Sequence, residues 1–106
     1  RGWSGHPFDM LQELDDSFDA VALVGWHGPA SHPNNPLSHT LTRLYGKMTL
    51  NGEPCSEYLL HAHISALTGT PVVFLSGDTG ICELARATNP SIHAVETNIG
   101  RGESVI

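Results

Sequence analysis

The fold of this 106-residue chain is decided by residues 71–76, with the sequence PVVFLS, and by residues 20–25, with the sequence AVALVG. Each is a continuous apolar run of strand length that is followed by a glycine-containing loop. Uninterrupted runs of this kind are typical of strands that are buried on both faces of a parallel sheet. We therefore predict an α/β fold built on a mostly parallel sheet.

The segments around these strands predict helices on the faces of the sheet. Ser56 is a typical helix N-cap, and Glu57 places a carboxylate in the first turn of a helix that is expected to stop at Gly69. The predicted buried stripe of this helix consists of Leu60, Ile64 and Leu67. Shorter helices at about residues 8–14 and 81–87 and a third strand at 92–95 complete the alternation of strands and helices that builds a parallel sheet.

A β-hairpin excursion is predicted between the first strand and the long helix. Asn51-Gly52 is the strongest two-residue hairpin signal, and residues 40–50 before it alternate loosely between apolar and polar side chains.

Charge and cysteine content exclude several function classes. Five Lys and Arg against eleven Asp and Glu give a formal net charge of -6, and the basic residues are scattered, so we expect no nucleic-acid partner. No apolar stretch approaches the roughly 20 residues of a membrane helix. Cys55 and Cys82 lack Cys-x-x-Cys spacing and are expected to be buried free thiols, which favours the cytoplasm.

The length predicts a single domain over residues 1–106. The chain begins at Arg1, with neither an initiator Met nor a signal-peptide pattern, which suggests an excerpt of a longer protein.

Histidine is the residue type that points to chemistry. Seven histidines exceed the five Lys and Arg, and His27, His32 and His39 fall in one loop directly after the first strand. Imidazole is the commonest metal ligand and titrates near neutral pH, so the cluster indicates a metal or acid/base site. The alternative for each residue is a solvated side chain at the protein surface. We expect His32 at an exposed loop tip, and the residues expected to be structural or solvated are His6, His63 and His93.

Glu57 is the carboxylate that could complete such a site. It shares a helix face with His61, one turn later, and with the apolar stripe, so it must find a cation, hydrogen-bond donors or a metal. The alternatives are an acid that stabilises the helix dipole and, for His61, an exposed polar neighbour. Residues 77–80, GDTG, could hold an anion at a helix N-terminus, although a cap by Asp78 explains them equally well.

Four blocks of sequence in series carry a family resemblance. They are VGWHGPA at 24–30, LSHT at 37–40, LNGEPCSE at 50–57 and TPVVFLSGD at 70–78. In order and spacing they strongly resemble the DppA-type zinc-dependent D-aminopeptidases. The resemblance implies a two-zinc enzyme that hydrolyses short peptides with an N-terminal D-residue, typically as a large homo-oligomer.

By position, the resemblance assigns His27 and Glu57 as zinc ligands and His39 as the catalytic histidine. It implies paired Zn2+ ions that polarise the scissile carbonyl and lower the pKa of a bridging water toward ~7, with His39 handling a proton. The family's remaining ligands, in an Asp-x-Glu-Gly segment and a further histidine, have no counterpart before Arg1. His61 stands where relatives usually carry Asn and could add a metal contact, and Glu96 stands where a Lys is common.

Two other functions stay open. The chain could be a non-catalytic assembly fragment, or a truncated homologue that needs a partner chain to complete its metal site. It could also be a small phosphate binder that uses residues 77–80.

Overall fold

A computed structural model describes residues 5–30, 32, 35, 37–101 and 104–105, the last residues from Arg101 onward by backbone only. Within this part, three strands form a parallel sheet: β1 (Val21–Trp26), β4 (Val72–Asp78) and β5 (His93–Asn98), in the order β1-β4-β5. The predicted α/β fold with a parallel sheet is confirmed.

Two helices and three small elements accompany this sheet in the described part of the chain. The helices are α1 (Glu57–Thr68) and α2 (Thr79–Thr88), and a short 3-10 helix (Asp9–Leu11) precedes β1. Strands β2 (Thr49–Leu50) and β3 (Glu53–Pro54) form one antiparallel pair, and β6 (Gly100–Arg101) and β7 (Ser104–Val105) form another, which the sequence did not predict. Of the described helices, none has the length and apolarity of a membrane-spanning segment.

The predicted hairpin turn lies between β2 and β3. Asn51 and Gly52 have φ values of 53° and 89°. Positive φ at both central residues is what a type I′ turn requires, and Asn and Gly tolerate it best.

The core lies on one face of the sheet. Val21 and Leu23 of β1 and Leu75 of β4 are buried against Tyr58 of α1 and Ile81 of α2. The prediction that β1 is buried on both faces is wrong. Its intervening residue Val24 is 73% exposed, because the described helices cover only the opposite face of the sheet.

Helix α1 begins and ends where its sequence predicts, but it buries a different face. Ser56 Oγ accepts a hydrogen bond from Leu59 N, and Gly69 ends the helix in a left-handed conformation. The predicted stripe is wrong: the buried residues are Tyr58, His61 and Ser65. Leu67 is 76% exposed. Two of the buried polar atoms are paired with the backbone, since His61 Nδ1 donates to the Glu57 carbonyl and Ser65 Oγ donates to the Thr70 carbonyl.

Strands β1 and β4 approach each other closely at their carboxyl ends. A Cβ atom on Gly77 would collide with the carbonyl oxygen of Trp26. Glycine at this position therefore lets the two strand ends lie side by side. His27 follows the first of these ends, and Asp78 is the last residue of the second.

Candidate functional site

The described residues bring three potential ligands together at the carboxyl ends of the strands. His27 follows β1, Glu57 opens α1, and His39 lies in the loop between them. One ligand atom from each residue lies within 4.8 Å of the other two. They border an open cleft of about 300 Å³ that Met10 and Trp26 also line. The cleft lies where ligands bind in parallel sheets and reaches the size of a small-molecule site.

Backbone carbonyls orient both histidine rings. His27 Nδ1 lies 2.9 Å from the Gly28 carbonyl oxygen, and His39 Nδ1 lies 2.8 Å from that of Leu37. A carbonyl only accepts, so each Nδ1 carries the hydrogen, and Nε2 of the neutral ring is left as the acceptor. The two rings lie against each other with centroids 4.1 Å apart.

Glu57 is held at both ends of its side chain. Its backbone belongs to the first turn of α1, next to the Ser56 cap. One carboxylate oxygen, Oε1, accepts a hydrogen bond from Leu41 N at 3.2 Å, and the other, Oε2, lies 3.3 Å from His27 Nε2. The side chain is 12% exposed, so the carboxylate faces the histidines rather than bulk solvent.

The contact between His27 and Glu57 shifts the pKa of both residues. The hydrogen bond that the protonated His27 ring donates to the Glu57 carboxylate raises the pKa of His27 above its ordinary value of 6.5, against the opposing effect of burial. The hydrogen bond from His27 lowers the pKa of Glu57 below its ordinary 4.5, again against burial. In the absence of a metal, the pairing therefore favours the imidazolium form of His27 together with the carboxylate form of Glu57.

These shifts predict a pH window for the stability of the metal-free protein. A raised His27 pKa contributes stability that is complete below 6.5 and is lost as the pH rises through the raised pKa. A lowered Glu57 pKa contributes stability that is complete above 4.5 and is lost as the pH falls through the lowered pKa. The difference in Tm between the wild type and Glu57→Gln, measured in chelator across pH, is expected to be largest between these values. A difference that does not vary with pH would contradict the pairing.

Asp78 anchors the loop that carries the histidines. Its buried carboxylate caps α2 by accepting from Ile81 N at 2.8 Å. Its second oxygen accepts from Gly28 N at 2.8 Å and from Asn35 Nδ2 at 2.6 Å. The helix N-terminus is thus occupied by a carboxylate of the chain itself, which removes the basis for a phosphate site at residues 77–80.

Two residues beside the histidines were missed by the sequence reasoning. Thr40 is fully buried next to His39, donates to the Cys55 carbonyl and accepts from Ala30 N. Asn35 is buried against Asp78 and turns the chain toward Leu37. Neither residue carried a signal beyond its position in a polar loop, because both act through contacts that are distant in sequence.

The remaining histidines have three kinds of environment. His61 is 1% exposed and lies 3.4 Å from Asp9 rather than in the ligand group, so the exposed alternative is wrong and the possible metal contact is not supported. His32 is only half-exposed and packs its ring against Gly80, so the exposed loop tip is also wrong. The exposed ones are His6, His63 and His93, as predicted. Both cysteines are buried and free, as predicted.

Known proteins are similar to this chain along most of its length. A family model described as D-aminopeptidase matches residues 1–106. The D-aminopeptidase of Bacillus subtilis (strain 168) is 30% identical over 97 residues, which cover 90% of this chain and 35% of that protein. The chain thus spans about a third of the length of this curated relative. A search of solved structures gives no significant match. Because the family model matches along the full chain, the chain belongs to the D-aminopeptidase family of peptidases.

Proposed function

We propose that this chain forms part of a zinc-dependent aminopeptidase that hydrolyses short peptides with an N-terminal D-amino acid. The observation that carries the proposal is the convergence of His27, His39 and Glu57, with ligand atoms within 4.8 Å of one another, in a member of the D-aminopeptidase family. His27 and Glu57 are the proposed metal ligands, and His39 is the proposed catalytic residue.

The donor set fits a divalent metal. Imidazole nitrogen and carboxylate oxygen are ligands that zinc accepts at catalytic sites. Metal-binding histidines almost always donate the second ring nitrogen to a carbonyl or carboxylate, and His27 donates its Nδ1 to the Gly28 carbonyl. The burial of Glu57 beside an imidazole is also consistent with a carboxylate that binds a cation. A second zinc ion remains a prediction from the resemblance, since it needs ligands beyond this group.

When bound, zinc would polarise a scissile carbonyl and make water a better nucleophile near neutral pH. The chain itself contributes orientation and proton transfer. Glu57 is fixed by Leu41 N and His27 by Gly28, so neither side chain has to reorganise during turnover. Because the Leu37 carbonyl fixes the hydrogen on Nδ1, the Nε2 atom of His39 is free to accept a proton and return it to the leaving amine.

The roles of the two histidines are separable by substitution. His39→Ala is expected to lower hydrolysis of a D-alanyl amide by about 10²- to 10⁴-fold, the usual contribution of a general acid or base. The same variant should retain its zinc, measured by elemental analysis. His27→Ala is expected to lose both zinc and activity. Exposed His63, whose Nδ1 also faces a backbone carbonyl, provides the control His63→Ala, which should retain both.

Two outcomes would contradict these assignments. If His39→Ala loses zinc as His27→Ala does, then His39 is a ligand. If the wild-type chain binds no zinc and shows no chelator-sensitive turnover, the non-catalytic assembly fragment becomes the better interpretation, although family membership does not favour it. Homo-oligomer formation and a cytoplasmic location stay predictions.

A further inference from the structure

A second cavity, of about 490 Å³, lies beside the proposed metal site. Its volume lies within the range of sites that bind small ligands. The side chains that line it are mostly apolar or uncharged, with one carboxylate: Gly5, His6, Pro7, Asp9, Leu41, Leu60, His61 and Ile64.

The cavity and the metal site share a wall. Leu41 lines the cavity, and its backbone N–H donates to the Glu57 carboxylate. His61 lines the cavity as well, and its Nδ1 lies 2.7 Å from the Glu57 carbonyl oxygen. The His61 ring meets Trp26 edge-on, with centroids 5.3 Å apart, and Trp26 borders the cleft of the metal site. The two spaces are therefore separated by residues that contact Glu57 directly.

Asp9 and His61 give this apolar cavity one polar spot. The Asp9 Oδ2 and His61 Nε2 atoms are buried, lie 3.4 Å apart and have no hydrogen-bond partner. Because the Glu57 carbonyl only accepts, the hydrogen of a neutral His61 ring lies on Nδ1, and Nε2 faces the carboxylate as a second acceptor. A donor with positive charge suits such a spot better than an anion does. Asp9 Oδ2 itself is buried, but the Asp9 side chain as a whole is 24% exposed and lines the cavity.

We infer that this cavity binds the N-terminal residue of the peptide, with an apolar side chain larger than a methyl group against Leu41, Leu60 and Ile64 and with the protonated α-amine toward Asp9. This inference rests on the proposed function, since it takes the peptide to be the ligand of the adjoining metal site. It makes the cavity the determinant of which D-residue is preferred.

Side-chain size and amine charge are expected to control binding separately. D-leucinamide should bind at least about tenfold more tightly than D-alaninamide, because even one extra methylene in an apolar pocket contributes about that factor. N-acetyl-D-leucinamide, which lacks the charged amine, should bind more weakly than D-leucinamide. Calorimetric titration of the zinc-loaded chain measures the affinities for all three compounds. It is done at about pH 7, where the α-amine is mostly protonated.

Two variants test the location of the pocket. Ile64→Trp fills the cavity and should abolish the preference for D-leucinamide, whereas Leu67→Trp should leave it unchanged. Leu67 lies on the same helix but is 76% exposed and is not part of the cavity lining. Asp9→Asn preserves the shape of the side chain and should weaken D-leucinamide about tenfold, the usual scale of one charged hydrogen bond, without affecting the N-acetyl compound.

Zinc content distinguishes failure of this inference from failure of the proposed function. Equal affinities for the two free amides, or an unchanged preference in Ile64→Trp that unfolds as the wild type does, would overturn the pocket even if zinc still binds at His27 and Glu57. A preference for D-leucinamide that responds to both variants in a chain without zinc would support the pocket and contradict the proposed function.

Discussion

Glu57→Gln is expected to lower the affinity for zinc by at least about 100-fold, since losing only a residue that hydrogen-bonds to a metal ligand already costs about 10- to 100-fold. The substitution removes the negative charge but keeps an oxygen that can accept from Leu41 N, so the backbone around the site should stay in place. In the metal-free protein the same change removes the partner of His27, whose pKa should fall back toward its ordinary value.

A competition assay with a chromophoric chelator measures this affinity. The matched control is Glu83→Gln, which removes the same charge from an exposed position on α2. Near-wild-type affinity in Glu57→Gln, with the control also unchanged, would show that the carboxylate is not a ligand. In that case Glu57 would form only an ion pair with His27.

Asp78→Ala is expected to destabilise the protein by about 3–5 kcal/mol, combining the loss of a helix cap with buried donors left unpaired. The donors are Gly28 N and the side-chain amide of Asn35, both of which point at one carboxylate oxygen. Asp78→Asn should not restore full stability, because in either orientation its NH2 group would face a hydrogen-bond donor, Ile81 N on one side or Gly28 N and Asn35 on the other. Since Gly28 follows His27 directly, zinc affinity should also fall, by about 10- to 100-fold.

Urea unfolding of the metal-free chain measures the first effect, and chelator competition measures the second. Asp19→Ala, at an exposed position before β1, controls for the removal of an acidic side chain. A loss below about 1 kcal/mol in Asp78→Ala would mean that the loop holds its position without this carboxylate, because a helix cap alone contributes about that much.

Local signals predicted the elements of the fold well. The cap at Ser56, the stop at Gly69 and the Asn51-Gly52 turn act through neighbours in sequence, so each could be recognised from a few residues. The buried face of α1 could not be recognised from a few neighbouring residues. Leucine spacing favoured the stripe that ends in Leu67, whereas His61 and Ser65 are buried and donate from Nδ1 and Oγ to backbone carbonyls. These carbonyls are near in sequence, but the residues that bury this face, such as Trp26 against His61, are distant, so no periodic pattern marks the face.

The candidate site could be assembled from the sequence only in part. His27 and Glu57 lie at the end of a predicted strand and the start of a predicted helix, and the carboxyl edge of a parallel sheet brings such positions together. The environment of His32 was misjudged because the ring packs against Gly80, a contact across 48 positions of sequence. The Asp78–Asn35 contact had no sequence signal for the same reason.

The rings of His27 and His39 share one further property, since both are oriented by peptide oxygens of their own loop. A peptide oxygen is present whatever amino acid occupies the position, so no point substitution at Gly28 or Leu37 can delete it. Amino-acid substitutions at neighbouring positions would then leave the orientation of both rings unchanged, provided that the loop keeps its backbone conformation. Distant relatives could accordingly retain the same ring geometry with little residual identity around it, and they would be found by loop conformation sooner than by residue type.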